Sequence, residues 1–170
     1  MELKKLKMTV AALMMSATIT YAASPEIYLL TGSTDVGSQR SMTTYGFGYG
    51  GSNKDLSRDT QILYGMDLEV LSATTELQSS DVAINMLLKA GYRYERFSIY
   101  GLGGMIADGY TGIDSIGFGY GGSVEFDIWH ADSKRKSVVV GVEYITASMK
   151  NAVDFKYTSN SMNGYLKYAW

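Results

Sequence analysis

Eight charged side chains stand at spacings that could bring them together: Asp67 and Glu69, Lys89 and Arg93, Glu125 and Asp127, then Glu143 and Lys167. Such a set suggests two chemistries. Carboxylates alone could line an ion path or a gate. Carboxylates mixed with bases could neutralise one another as a buried ionic network. His130 is the single histidine and is followed by Asp132 and Ser133, the residue types of a nucleophilic triad. Triads are assembled from separate segments, so three such residues in one short stretch favour a polar turn beside an interfacial Trp129. A metal site built only from Asp and Glu has no recognisable spacing here, and no cofactor is expected. Gly46-Phe47-Gly48-Tyr49-Gly50-Gly51 loosely resembles a phosphate-binding loop, but no helix follows, and glycine at every second position is strand chemistry. Lys134-Arg135-Lys136 reads as a solvated basic turn able to touch anionic head groups.

Something must position those charges. The chain has 170 residues, 46% apolar and 19% charged, a length that fits one domain and a composition that is not disordered. With no Cys, it can form neither disulfides nor thiolate metal sites, and it cannot carry a Cys-linked lipid. A net charge of −2 argues against a general nucleic-acid binder, which needs a basic surface. One Pro against 19 Gly and 14 Tyr suggests long strands, because Pro is kept out of central strands.

Residues 1–22 read as a secretory signal peptide. Lys4, Lys5 and Lys7 make a basic start, Met8 to Ile19 an apolar stretch, and Thr20-Tyr21-Ala22 a small-residue cleavage site. The apolar stretch is too short for a membrane-spanning helix. The expected mature domain is 23–170.

That domain alternates. Ile62, Tyr64, Met66, Leu68 and Val70 oppose Leu63, Gly65, Asp67 and Glu69. The same period-two pattern runs through 43–50, 82–94, 116–128, 138–146 and 162–170, while 26–34 and 97–107 read as strands with less decided faces. Eight strands result, separated by polar breaks at 35–41, 51–60, 72–81, 95–96, 108–115, 129–137 and 147–160. The heptapeptide GFGYGGS occurs at 46–52 and again at 117–123. EIYLLTG at 26–32 resembles SIYGLGG at 98–104, and Gly91-Tyr92 resembles Gly164-Tyr165, at nearly the same separation. Both point to four strands used twice.

Alternation by itself fits a soluble sandwich or a membrane barrel. Three features favour the barrel. Aromatic residues gather near the ends of the apolar faces, at Tyr92, Tyr94, Phe97, Trp129, Tyr168 and Trp170, as in the girdles at a membrane interface. The opposite faces mix Gly with sparse charges, which suits a crowded narrow interior. The last strand runs to Trp170, and a strand in lipid must pair with the first to satisfy its backbone. The expected fold is therefore all-β: an antiparallel eight-stranded up-and-down transmembrane barrel after a cleavable signal.

Ala90-Gly91-Tyr92-Arg93-Tyr94, Phe97-Ser98-Ile99-Tyr100-Gly101, Gly117-Phe118-Gly119-Tyr120-Gly121 and the alternating end Gly164 to Trp170 carry a resemblance. The chain resembles small eight-stranded outer-membrane barrels of the OmpX and OmpA-transmembrane-domain type. The resemblance implies the outer membrane of a Gram-negative (diderm) bacterium and periplasmic chain ends. It also implies a role in adhesion, host-factor resistance or envelope integrity, without a catalytic site. Tyr168 and Trp170 then match the signal read by the barrel-assembly machinery. Breaks 35–41, 72–81, 108–115 and 147–160 become external loops, and 51–60, 95–96 and 129–137 periplasmic turns, two of them longer than that side usually has.

On this reading Asp67, Glu69, Lys89, Arg93, Glu125, Asp127, Glu143 and Lys167 face the lumen. Both signs are present and the tube is narrow, so a plug is preferred to an ion path, with Glu125 or Asp127 paired to Arg93 or Lys167. The expected function is non-enzymatic: a monomer with a largely plugged polar lumen, surrounded by outer-membrane lipid and lipopolysaccharide. Its surface ligand is unknown and nucleic acid is not among its partners. A narrow small-solute channel is the alternative, and a barrel-embedded lipid-modifying enzyme comes third.

Overall fold

The computed structural model describes residues 24–37, 40–74, 81–110, 114–131 and 136–170. The expected signal peptide at 1–22, most of the 72–81 break, Asp132, Ser133, Lys134 and Arg135 lie outside the described residues.

Eight strands follow in order: β1 Ser24–Val36, β2 Arg40–Ser52, β3 Thr60–Thr74, β4 Asp81–Tyr94, β5 Phe97–Asp108, β6 Ser115–His130, β7 Ser137–Asn151 and β8 Lys156–Ala169. Each pairs antiparallel with the next, and β1 closes on β8 in the register Glu26 to Ala169 through Val36 to Ser159, so the sheet is a closed barrel. Closure removes the sheet edges that would otherwise leave unpaired N–H and C=O groups. The one proline, Pro25, is the second residue of β1, where a missing donor costs little. The two GFGYGGS copies fall on β2 and β6, opposite one another in the ring.

The faces are inverted relative to a soluble barrel. Leu29, Ile62, Leu88, Phe118 and Met162 point outward and are more than half exposed. Glu26, Lys89, Glu125, Asp127 and Lys167 point inward and are buried. At the end of the barrel that holds Ser24, the 95–96 turn and Trp170, here the lower end, the outward apolar band runs on all strands. On β3 it extends from Ile62 to Val70, nine residues, close to the length a tilted strand needs to cross a hydrocarbon layer.

Two expectations change. The break at 147–160 is mostly strand: β7 continues to Asn151, β8 begins at Lys156, and only a tight turn remains, with Asp154 at φ 63°. Its outward positions, Ser148, Lys150, Lys156 and Thr158, are polar, so the apolar alternation stops there although the hydrogen-bonded ladder does not. The charged cluster of the lumen sits in its lower and middle parts, while Thr34, Asp108 and Asn151 are buried polar groups of the upper part. Beside them the upper part is packed with Leu30, Val36, Met42, Leu71, Leu87, Ile106, Ile145 and Met149, all buried. On β6, strict period two by itself would send Trp129 inward beside Asp127. A bulge between Asp127 and Trp129 inserts Ile128 and turns Trp129 outward while Asp127 stays in.

Candidate functional site: the lower lumen

Narrow barrels must fill their bore with side chains. Here two lumen tyrosines do so by lying over glycines of the neighbouring strand. Tyr28 of β1 is paired with Gly48, and Tyr165 of β8 with Gly141. A Cβ on either glycine would collide with the tyrosine ring. The rings contact each other at 5.7 Å, and Lys167 Nζ sits over both, 4.9 Å from Tyr28 and 5.1 Å from Tyr165.

Around this aromatic pair the charges form one connected cluster. Lys89 Nζ donates to Glu26 Oε2 at 2.7 Å and to Asp67 Oδ1 at 2.9 Å. Lys167 Nζ reaches Glu125 Oε1 at 2.5 Å and Glu26 Oε2 at 3.0 Å. Arg93 Nη2 donates to Asp127 Oδ2 at 3.1 Å. All of these groups are almost fully buried, so each charge is held by its partners and not by water. The structure thus pairs Glu125 with Lys167 and Asp127 with Arg93.

Two members of the cluster were missed by reading the sequence. Glu26 lies on β1, where the alternation of Glu26, Tyr28 and Leu30 against Ile27 and Leu29 is the signal that places it inward. Lys54 has no such signal, because it belongs to the loop between β2 and β3. That loop folds back into the lower mouth and places Lys54 Nζ 2.5 Å from Asp127 Oδ1 and 4.0 Å from Glu125 Oε2. Arg93 Nη1 holds the same loop by donating to the carbonyls of Asp55 and Arg58 at 3.0 and 3.1 Å. Ser24 Oγ donates to the Lys54 carbonyl at 2.9 Å. The unusual length of this connection has a structural use: it carries Lys54 into the ionic cluster.

Glu69 and Glu143 are placed apart from the lysines, in the middle of the lumen. Glu69 accepts from Tyr28 OH at 3.1 Å and from Asn85 Nδ2 at 2.8 Å, and Glu143 accepts from Asn163 Nδ2 at 2.9 Å.

Tyr92, Tyr94, Phe97, Trp129, Tyr168 and Trp170 all point outward at the lower end and are between 38% and 58% exposed. Phe97 packs on Phe126 at 4.8 Å, and Tyr168 stacks on Trp170 at 6.0 Å. The Trp170 N–H donates to the Pro25 carbonyl at 3.1 Å, which ties the last residue to the first strand. His130 lies at the exposed end of β6, on the outside of the lumen cluster. Among the described residues, no group of three or more His, Cys, Asp and Glu is arranged to hold a metal ion.

No protein-family model matches the chain, and no curated protein matches it. Among solved structures, the crystal structure of the outer membrane protein OprG from Pseudomonas aeruginosa is similar to 88% of this chain and 96% of that chain, at 14% identity and a TM-score of 0.39.

Proposed function

We propose that this chain is a small outer-membrane barrel of a diderm bacterium, in the manner of the OmpX and OmpA-transmembrane-domain type. Its lumen is plugged, and it serves a structural or surface-interaction role without catalysis. The observation that carries this reading is the inversion of its faces. A soluble monomer rarely exposes an apolar patch of more than a few hundred Å². Here an apolar band encircles the barrel, with Ile62 75% exposed and Leu29 67%, while Glu125 and Asp127 are buried inside. Lipid and lipopolysaccharide acyl chains are the natural cover for such a band. The outward aromatic residues at the lower end fit an interface with head groups.

The inward-folded β2–β3 loop, the ionic cluster and the packed upper layer support a plug over a channel. Ring closure supports a monomer, since no strand edge is left to pair with a second copy. Tyr168 and Trp170, on the strand that closes the barrel, are suited to engage the assembly machinery. Surface interaction would fall to the upper connections, where Val153 and Phe155 are exposed in the β7–β8 turn.

Refolding residues 23–170 in detergent tests the reading. The expected result is a strand-rich circular dichroism spectrum and a band on SDS gels whose mobility changes on boiling. Folding to the same state in plain buffer would overturn the membrane assignment. In planar bilayers the folded protein is expected to give no resolved conductance steps, and regular open-state steps would favour the channel instead.

A further inference from the structure

Glu69 stands on β3 and Glu143 on β7, four strands apart in a ring of eight, so the two carboxyl groups approach from opposite walls. Their side chains come within hydrogen-bonding reach of each other. Ionised carboxylates are acceptors only, so this contact requires a proton.

The charge count locates that proton. Lys54, Lys89, Arg93 and Lys167 are the described cations of the lumen, and their ion pairs go to Glu26, Asp67, Glu125 and Asp127. Four cations meet four carboxylates. Outside these ion pairs stand Glu69, Glu143 and, in the upper lumen, Asp108, which accepts from Tyr157 at 2.6 Å; among the described residues neither Glu69 nor Glu143 has a cation within ion-pair distance. Their partners are neutral: Tyr28 of β1, Asn85 of β4 and Asn163 of β8. The pattern of donors distinguishes the two acids. Both oxygens of Glu69 already accept, Oε1 from Tyr28 and Oε2 from Asn85, as befits the ionised member. Glu143 accepts on Oε1 from Asn163, whose amide is oriented by Thr44 of β2 donating to its Oδ1 at 3.0 Å. Oε2 of Glu143 is left to carry the proton and donate it to Glu69.

We propose that Glu69 and Glu143 share one proton and form a latch across the bore that holds only while that proton is bound. The titratable neighbours are Tyr28 of β1, Asp67 of β3 and Tyr165 of β8. Next to them lie Lys89 of β4, Tyr100 of β5, and Glu125 and Lys167 of β6 and β8 in the ionic layer; β2 contributes only the neutral Thr44. Loss of the proton to water would leave two like charges facing each other beside Asp67, and the latch would part. The inference concerns the lumen and holds whether or not the outward face meets lipid.

Urea unfolding of the refolded full domain in detergent, repeated across a pH series, tests it. A folded state that keeps a proton the unfolded chain has released loses stability as pH rises, by up to about tenfold in the folding equilibrium per pH unit. That slope begins above the ordinary carboxylate range, about pH 4–5, and ends where the latch releases its proton. Glu143→Gln places an amide N–H where the proton was, so its slope is expected to be flatter than that of the wild type by this one proton. Infrared spectra supply a readout that stability alone does not. A protonated-carboxyl C=O band is expected at neutral pH in the wild type and is expected to be lost in both Glu143→Gln and Glu69→Gln. Equal slopes in wild type and Glu143→Gln, or a band that survives in either variant, would overturn the proposal. If neither variant folds, the wild type decides: absence of the band at neutral pH sinks the latch.

Discussion

Lys54 Nζ lies 2.5 Å from Asp127 Oδ1, although Lys54 belongs to a loop and Asp127 to a strand three-quarters of the way along the chain. The contact converts the β2–β3 connection into part of the barrel's filling. Lys54→Met is expected to lower stability by about 2–3 kcal/mol. That is less than the ~3–5 kcal/mol typical of a fully orphaned buried partner, because Arg93 still holds Asp127. The same variant is expected to make the bond after Arg58 more accessible to trypsin. Unchanged unfolding and unchanged cleavage would mean that the loop's place in the lower mouth does not depend on Lys54.

Lys89 bridges Glu26 on β1 and Asp67 on β3, and it is the cation in ion-pair contact with Asp67. Lys89→Met is expected to cost about 3–5 kcal/mol, since it leaves a buried carboxylate without its partner. Adding Asp67→Asn removes that uncompensated charge and is expected to recover part of the loss. A double-mutant cycle by urea unfolding measures the coupling, and strict additivity would contradict it.

Gly48→Ala and Gly141→Ala each drive a Cβ into a tyrosine ring of the adjacent strand. Each is expected to destabilise by about 1–3 kcal/mol, the usual range for overpacking. Gly101→Ala is the control. A Cβ there has its nearest neighbour at 3.8 Å, and its outward position is open, so little change is expected. Equal effects at the three sites would show that strand propensity and not the tyrosine packing governs them.

Trp129 and Trp170 are the only tryptophans, and both project outward at the lower end. In lipid vesicles their fluorescence is expected to be quenched by a quencher attached near the head groups more strongly than by one near the bilayer centre. The single variants Trp129→Phe and Trp170→Phe are expected to show the same depth for the residue that remains. Quenching strongest at the bilayer centre would displace the aromatic residues from the interface.

Much of this architecture was legible in the residues themselves. Alternation is a local property, so Ile62 to Val70 against Leu63 to Glu69 already sorted one strand into two faces, and the pairing ladder kept that sorting. The inward positions of Lys89, Arg93, Glu125 and Lys167 followed from the same period. Other features were illegible for a physical reason. Where the outward residues turn polar, as at Ser148 and Lys150, hydropathy no longer marks a strand, yet backbone hydrogen bonding continues. A single inserted residue, Ile128, resets the period without any signal in its own chemistry.

The sequence by itself determined the strand count, the alternating faces and eight of the charges available to the interior, because each depends on neighbours two residues apart. Only the tertiary structure decided which charges meet. It closed β1 on β8, brought Lys54 in from a loop, matched four cations to four carboxylates and left Glu69 facing Glu143 across the bore. Those contacts join residues far apart in the chain. They depend on strand register, on the bulge at Ile128 and on the path of one loop, and none of these is encoded in a local pattern.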